Sequence, residues 1–405
     1  MFRANATLLI DLLVIMGLLV TLCVCAEVTF ADETKAIPPK ENQSREVTRE
    51  KPSKPGIPHA KSPAGSKACP TKKKDKAGVA KTPTQQPAVS TKPTAPGSQH
   101  ATRNTQHATR TKHHPAQTAA TKYHGTFVEA LKSAPFPYSG KDADPNFFDF
   151  VDLQTGERYR TTRTWERLSE KDHYRDSSVL FHVPSQFNPN KPFTYVVFFH
   201  GNRTEVRQCV KEYRLDDQID SSGRNVILVL PQLAKNAADS SPGSFAKKNA
   251  FKAFMQEAAR VLSSKMGKKY QQQLEHAPIV LAAFSGGYKP LACTLDRGGI
   301  DSRIKGVLLM DGLYEDLYIF GRWLLHHLSG TFFVSIFTEG STCEEKTGML
   351  AQFLREHRLP FKEEWPKGVK KGQICLVRSP FDHMQVPVEG PPRQPLAELL
   401  RSQKN

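Results

Sequence analysis

Seven short apolar runs, each four to seven residues long, recur between residues 178 and 377. They are Ser178–Val183, Tyr195–Phe199, Val226–Leu230, Ile279–Phe284, Ile304–Met310, Phe332–Phe337 and Ile374–Val377. Tyr195-Val-Val-Phe-Phe199 has no polar member, the pattern of a strand buried on both faces. Between the runs lie segments of helical period. Phe251, Phe254, Ala258, Val261 and Leu262 share one helical face. Met349, Phe353 and Leu354 form a second stripe, and Leu396, Leu399 and Leu400 a third, all three read as core-facing. Strands alternating with helices predict an α/β fold, a mostly parallel sheet flanked by helices. Functional groups then belong at the carboxyl ends of the strands.

The pattern does not extend upstream. The chain has 405 residues, of which 38% are hydrophobic, with a net charge of +17. That composition excludes several membrane spans. Twenty-three Phe and three Trp need a core, which excludes a wholly disordered chain. Seven Cys are too few for a disulfide scaffold.

Residues 1–31 read as an export signal or an N-terminal membrane anchor. Arg3 precedes the apolar run Ala6–Ala26, and Val24-Cys-Ala26 or Thr29-Phe-Ala31 offers small residues for cleavage. The run is long enough to span a bilayer, so an uncleaved single anchor stays open. Asp11 opposes both readings, since a carboxylate at mid-bilayer costs about 2.5–3.5 kcal/mol. The expected location is exported, periplasmic or secreted, or anchored to the inner membrane.

Residues 32–122 contain no Leu, Met, Phe, Trp or Tyr, but hold 12 Pro and 18 Lys+Arg against 6 Asp+Glu. Such a segment buries too little apolar area to offset its ordering entropy and reads as a disordered basic linker. Gln99-His-Ala-Thr-Arg103 recurs as Gln106-His-Ala-Thr-Arg110, too few copies for a solenoid. Lys72-Lys-Lys-Asp-Lys76 suits either a solvated spacer or a grip on an anionic cell-envelope polymer. Nucleic acid is not an expected partner: aromatics interleaved with Lys and Arg are missing there, and an export signal conflicts with it. Residues 123–405 hold nearly all the aromatics and form the expected globular domain.

The chemistry-bearing motif is Ala282-Ala-Phe-Ser-Gly-Gly-Tyr288, at the end of a buried strand. A serine between strand and helix, with Ala283 two before and Gly287 two after, fits a nucleophile elbow. The N–H of Gly286 would then face an oxyanion from a helix N-terminus. Upstream, the strand Tyr195–Phe199 runs into His200-Gly-Asn-Arg203, where the N–H of Asn202 can supply a second oxyanion donor. Downstream, Ser379-Pro-Phe-Asp-His-Met-Gln385 places His383 on the loop after the final strand, where a general base would reach Ser285.

These motifs, each after its own strand, resemble the α/β-hydrolase superfamily over residues 175–405. The order Ser, acid, His matches that superfamily. Ala283 departs from its usual G-x-S-x-G. The resemblance implies a serine hydrolase, esterase-like, cleaving an ester (less readily an amide) through an acyl-enzyme. The substrate would be a small-molecule or polymer-linked acyl compound. The acid is Asp311, fixed directly at a strand end, or alternatively Glu339, after the next strand and in a looser turn. The alternative function is a catalytically inactive module of the same fold that binds cell-envelope polymer or a protein.

Other features are bland. Cys209, Cys293, Cys343 and Cys375 lack CxxC spacing, so no metal site is expected. No P-loop and no G-x-G-x-x-G turn occurs, so no nucleotide cofactor is expected. Trp323, with Leu324, Leu325 and Leu328, reads as core or as a lid over the site.

Overall fold

The computed structural model describes residues 123–138 and 144–403. The readings of residues 1–31 and 32–122 lie outside the described residues. Among the described residues, no helix is long and apolar enough to cross a membrane.

Eleven strands are described: β1 (Gly125–Ala130), β2 (Phe150–Val151), β3 (Arg158–Thr161), β4 (Arg167–Ser169), β5 (Ser178–Val183), β6 (Thr194–Phe199), β7 (Val226–Pro231), β8 (Ile279–Phe284), β9 (Ile304–Met310), β10 (Phe332–Thr338) and β11 (Gln373–Ser379). Eight of them form one sheet in the order β1-β5-β7-β6-β8-β9-β10-β11. Strands β7, β6, β8, β9, β10 and β11 run parallel, and β5 is antiparallel to both its neighbours. This is the sheet of the α/β-hydrolase fold. The seven expected strands are its β5 to β11, each within two residues of the range read from sequence.

Both faces of the sheet are buried, and period-two alternation sorts the side chains between them. Tyr195, Val197 and Phe199 join the core on one face, together with Phe251, Phe254, Ala258 and Leu262 of the helix Ala250–Met266. Val196 and Phe198 join the core on the other, with Leu396, Leu399 and Leu400 of the helix Pro395–Ser402. Trp323, Leu324 and Leu328 are buried in the first core and Leu325 is exposed, so this segment packs rather than covering the site.

One member of one stripe is out of phase: Leu354 is buried and Phe353 packs against the first core, as expected, but Met349 does not. The helix Thr342–Glu356 buries Cys343, Thr347, Leu350, Ala351 and Leu354, while Met349 is exposed. Met349 lies one residue ahead of Leu350, about 100° around the helix from that face.

Two features carried no sequence signal. Strand β1 closes one sheet edge by pairing with β5. Strands β2, β3 and β4 form a separate antiparallel sheet, over a small core of Phe136, Tyr138, Phe147, Leu168 and Tyr174. Ion pairs and cation–π contacts add to that core. Arg158 bonds Glu170 through two nitrogens, and Arg160 lies over Phe147 and pairs with Asp239 at 2.9 Å.

Candidate active site

Strand β8 ends in a tight turn, Ser285–Gly287, which leads into the helix Tyr288–Arg297. Ser285 takes φ +51°, a left-handed conformation that costs a non-glycine residue about 1–2 kcal/mol. The packing around it fixes that conformation. A Cβ on Gly287 would overlap the carbonyl oxygen of Phe199 and lie 2.8 Å from that of His200. A Cβ on Gly286 would overlap the side chains of Asn202 and Ser240. At Gly286 the obstacles are side-chain ends that can turn aside, but at Gly287 they are backbone, so there even an alanine has no room.

The loop after β6 lies beside it. His200 is buried and its tautomer follows from its partners. The N–H of Leu233 donates to Nε2 at 2.9 Å, so Nε2 is bare and Nδ1 carries the proton. That Nδ1–H donates to the carbonyl of Gly201 at 2.7 Å. Burial pushes the imidazole pKa down to about 4, keeping it neutral. Because the peptide is planar and trans, holding the Gly201 carbonyl points the Asn202 N–H the opposite way. Neither that N–H nor the N–H of Gly286 has an acceptor among the described residues. The Asn202 side chain accepts a hydrogen bond from Ser240 Oγ at 3.2 Å.

Asp311 follows β9 and is fully buried, with φ +43°. Its N–H continues the ladder by donating to Ile336 of β10 at 2.8 Å. Its carboxylate accepts the N–H of Thr338 at 2.9 Å, the Thr338 hydroxyl at 2.5 Å and His383 Nδ1 at 2.6 Å. Burial alone would raise its pKa, but hydrogen bonds from His383 and Thr338 outweigh burial and hold it below the ordinary carboxylate value.

His383 opens a short turn after β11, and Asp382 caps that turn. The capping role occupies Asp382, which makes no bond to the imidazole. The ring stacks on Phe284 at 4.7 Å between centroids and meets the edge of Tyr314 at 6.4 Å. An ionised Asp311 can only accept, so Nδ1 carries the proton and Nε2 is left as an acceptor. Nε2 lies 2.9 Å from Ser285 Oγ.

The structure thus brings Ser285, His383, Asp311, Gly286 and Asn202 together at the carboxyl ends of β6, β8, β9 and β11. Glu339 is elsewhere: it faces solvent and pairs with Arg378 at 3.0 Å. Thr338, Phe284, Tyr314 and His200 support the site. Of these, His200 and Phe284 fell within motifs legible in sequence, while Thr338 and Tyr314 did not. The four described cysteines are free thiols. Among the described residues, no group of three or more His, Cys, Asp or Glu is placed to hold a metal.

Fold and site together define an α/β-hydrolase architecture with a Ser–His–Asp hydrogen-bond relay. No protein-family model and no curated protein matches the sequence. Among solved structures, similar ones include a feruloyl esterase module from Clostridium thermocellum, at 11% identity, covering 68% of this chain and 98% of that one, with a TM-score of 0.38. A fluorophosphonate-binding serine hydrolase of Staphylococcus aureus is 10% identical over 56% of this chain and 91% of that one, with a TM-score of 0.35. An S-formylglutathione hydrolase from Agrobacterium tumefaciens is 10% identical over 58% and 92%, with a TM-score of 0.34.

Proposed function

We propose that the domain is a serine hydrolase that cleaves carboxylic esters through an acyl-enzyme. One observation carries this reading: the continuous relay from Asp311 to His383 at 2.6 Å and on to Ser285 at 2.9 Å, with Ser285 on a strained elbow. A binding module has no need of such an arrangement.

Ser285 Oγ attacks the ester carbonyl as His383 Nε2 takes its proton. Asp311 accepts from Nδ1 and stabilises the imidazolium. The N–H groups of Gly286 and Asn202 receive the oxyanion. The carbon–oxygen bond to the alcohol breaks, and that alcohol leaves with the proton from His383. Water, with His383 as base, then attacks the acyl-enzyme and releases the acid and free Ser285. Ester over amide is the superfamily expectation. Export, through the segment 1–31, and a tether or polymer contact, through 32–122, complete the proposal.

Hydrolysis of p-nitrophenyl acetate by the full chain tests it. Wild type should turn the ester over, and Ser285→Ala and His383→Ala should lose at least about 10³-fold in kcat/KM. A Ser285→Ala variant that keeps wild-type rates would end the proposal.

A further inference from the structure

Thr338 ends β10 and gives Asp311 two hydrogen bonds that do different work. Its backbone N–H donates to Oδ1 at 2.9 Å. Its hydroxyl donates to Oδ2 at 2.5 Å. Oδ2 is also the oxygen that faces His383 Nδ1, at 2.6 Å. A single oxygen of a fully buried carboxylate therefore serves two donors. Such an oxygen accepts through two lone pairs, and the hydroxyl and the imidazole occupy both.

The backbone bond already orients the carboxylate, and any residue except proline at position 338 would supply it. The hydroxyl is not needed for that. What it changes is the charge available on Oδ2. A short hydrogen bond from a hydroxyl to a carboxylate is charge-assisted and draws on that charge. Burial leaves little water to mask the effect. Less charge is then left to stabilise the imidazolium that His383 becomes, so the imidazole stays unprotonated, and able to act as base, in more acid solution.

The other groups around the pair do not supply a competing charge. Tyr314, after β9, and Cys343, in the helix Thr342–Glu356, also face Asp311. Burial raises the pKa of both, so both are neutral from acid to neutral pH. The Asp382 side chain is taken up in capping its own turn.

Resting on the serine-hydrolase reading, we propose that Thr338 is a positioning residue whose hydroxyl, by sharing Oδ2 with His383, extends catalysis to lower pH. The pH dependence of kcat/KM for p-nitrophenyl acetate, measured with the full chain, tests this. Its acid limb reports the base of the free enzyme and belongs to the Asp311–His383 pair as a whole. Thr338→Val keeps the branched shape and the backbone N–H and removes the hydroxyl. Its acid limb should move to higher pH by about 0.5–1 unit, the worth of one hydrogen bond. The plateau rate should stay within about tenfold of wild type, since the carboxylate is still held through Oδ1. Thr338→Ser restores a hydroxyl and should return the limb to its wild-type position. Thr338→Ala should shift it as valine does and serves if the valine variant does not fold, with near-UV circular dichroism at each pH to verify folding. A merely structural role would lower the plateau or the stability and leave the limb in place. An unmoved limb in a folded valine or alanine variant, a limb displaced to lower pH, or an equal displacement in the serine variant would overturn the inference. A folded wild-type chain that does not hydrolyse the ester would instead remove the hydrolase reading, and this inference with it.

Discussion

Asp311→Asn exchanges one carboxylate oxygen for an NH₂ group, and the structure says which one. The N–H of Thr338 donates to Oδ1 of Asp311 at 2.9 Å, so the oxygen of the new amide must occupy that position. The amide nitrogen then takes the place of Oδ2, facing His383 Nδ1, which now stands 2.6 Å from Oδ2. An NH₂ group there donates, so Nδ1 must become the acceptor and the imidazole proton moves to Nε2. Nε2 then meets the Ser285 hydroxyl with a proton already on it and cannot serve as base. The loss of general-base function and of imidazolium stabilisation is worth about 10⁴-fold in kcat, or about 5 kcal/mol of transition-state energy. Ester hydrolysis by Asp311→Asn, with near-UV circular dichroism to verify folding, measures this. Glu339→Gln, at a carboxylate on the surface, should stay within about twofold of wild type. An Asp311→Asn variant within tenfold of wild type, or a larger loss for Glu339→Gln, would refute the reasoning.

Gly287→Ala places a methyl group against the Phe199 carbonyl; urea unfolding should show a loss of about 1–3 kcal/mol, and an unchanged midpoint would contradict the packing described. His200 has its pKa pushed from 6.5 to about 4, so between those values the unfolded chain binds a proton that the folded chain refuses. Its contribution is complete above pH 6.5 and falls away with acid, by about 3 kcal/mol once pH 4 is passed, a slope that His200→Gln should remove from a stability–pH series. Arg163 is 85% exposed at its side chain, so Arg163→Ala should cost less than about 1 kcal/mol in thermal unfolding despite its contact with Glu315.

What the sequence disclosed follows from how each part is held. The strands β5 to β11 are buried along nearly their whole length, so burial writes continuous apolar runs that can be read directly. Ser285, His383, Asp311 and Asn202 follow such runs, and in each case glycine or proline nearby marks the turn. Strands β2 to β4 have two to four residues and little burial, so no period is impressed on them. Their anchors are pairs such as Arg160–Asp239, whose partners lie far apart in the chain. The same holds for Thr338, whose backbone and hydroxyl both bond Asp311 across 27 positions of sequence. Choosing Asp311 over Glu339 needed that third dimension: both follow strands, and only folding shows that one faces the imidazole and the other faces water. The Asp382 cap was closer to legible, since Asp382 and Gln385 stand at the spacing of a capping box.

The central claim is that Ser285 is made nucleophilic by His383. The direct measurement is covalent labelling of the full chain by a fluorophosphonate probe, with the modified peptide located by mass spectrometry. The account predicts a single phosphonylated residue, Ser285, and no labelling of folded Ser285→Ala or His383→Ala. A folded wild-type chain that stays unlabelled, or a label on another residue, would contradict it.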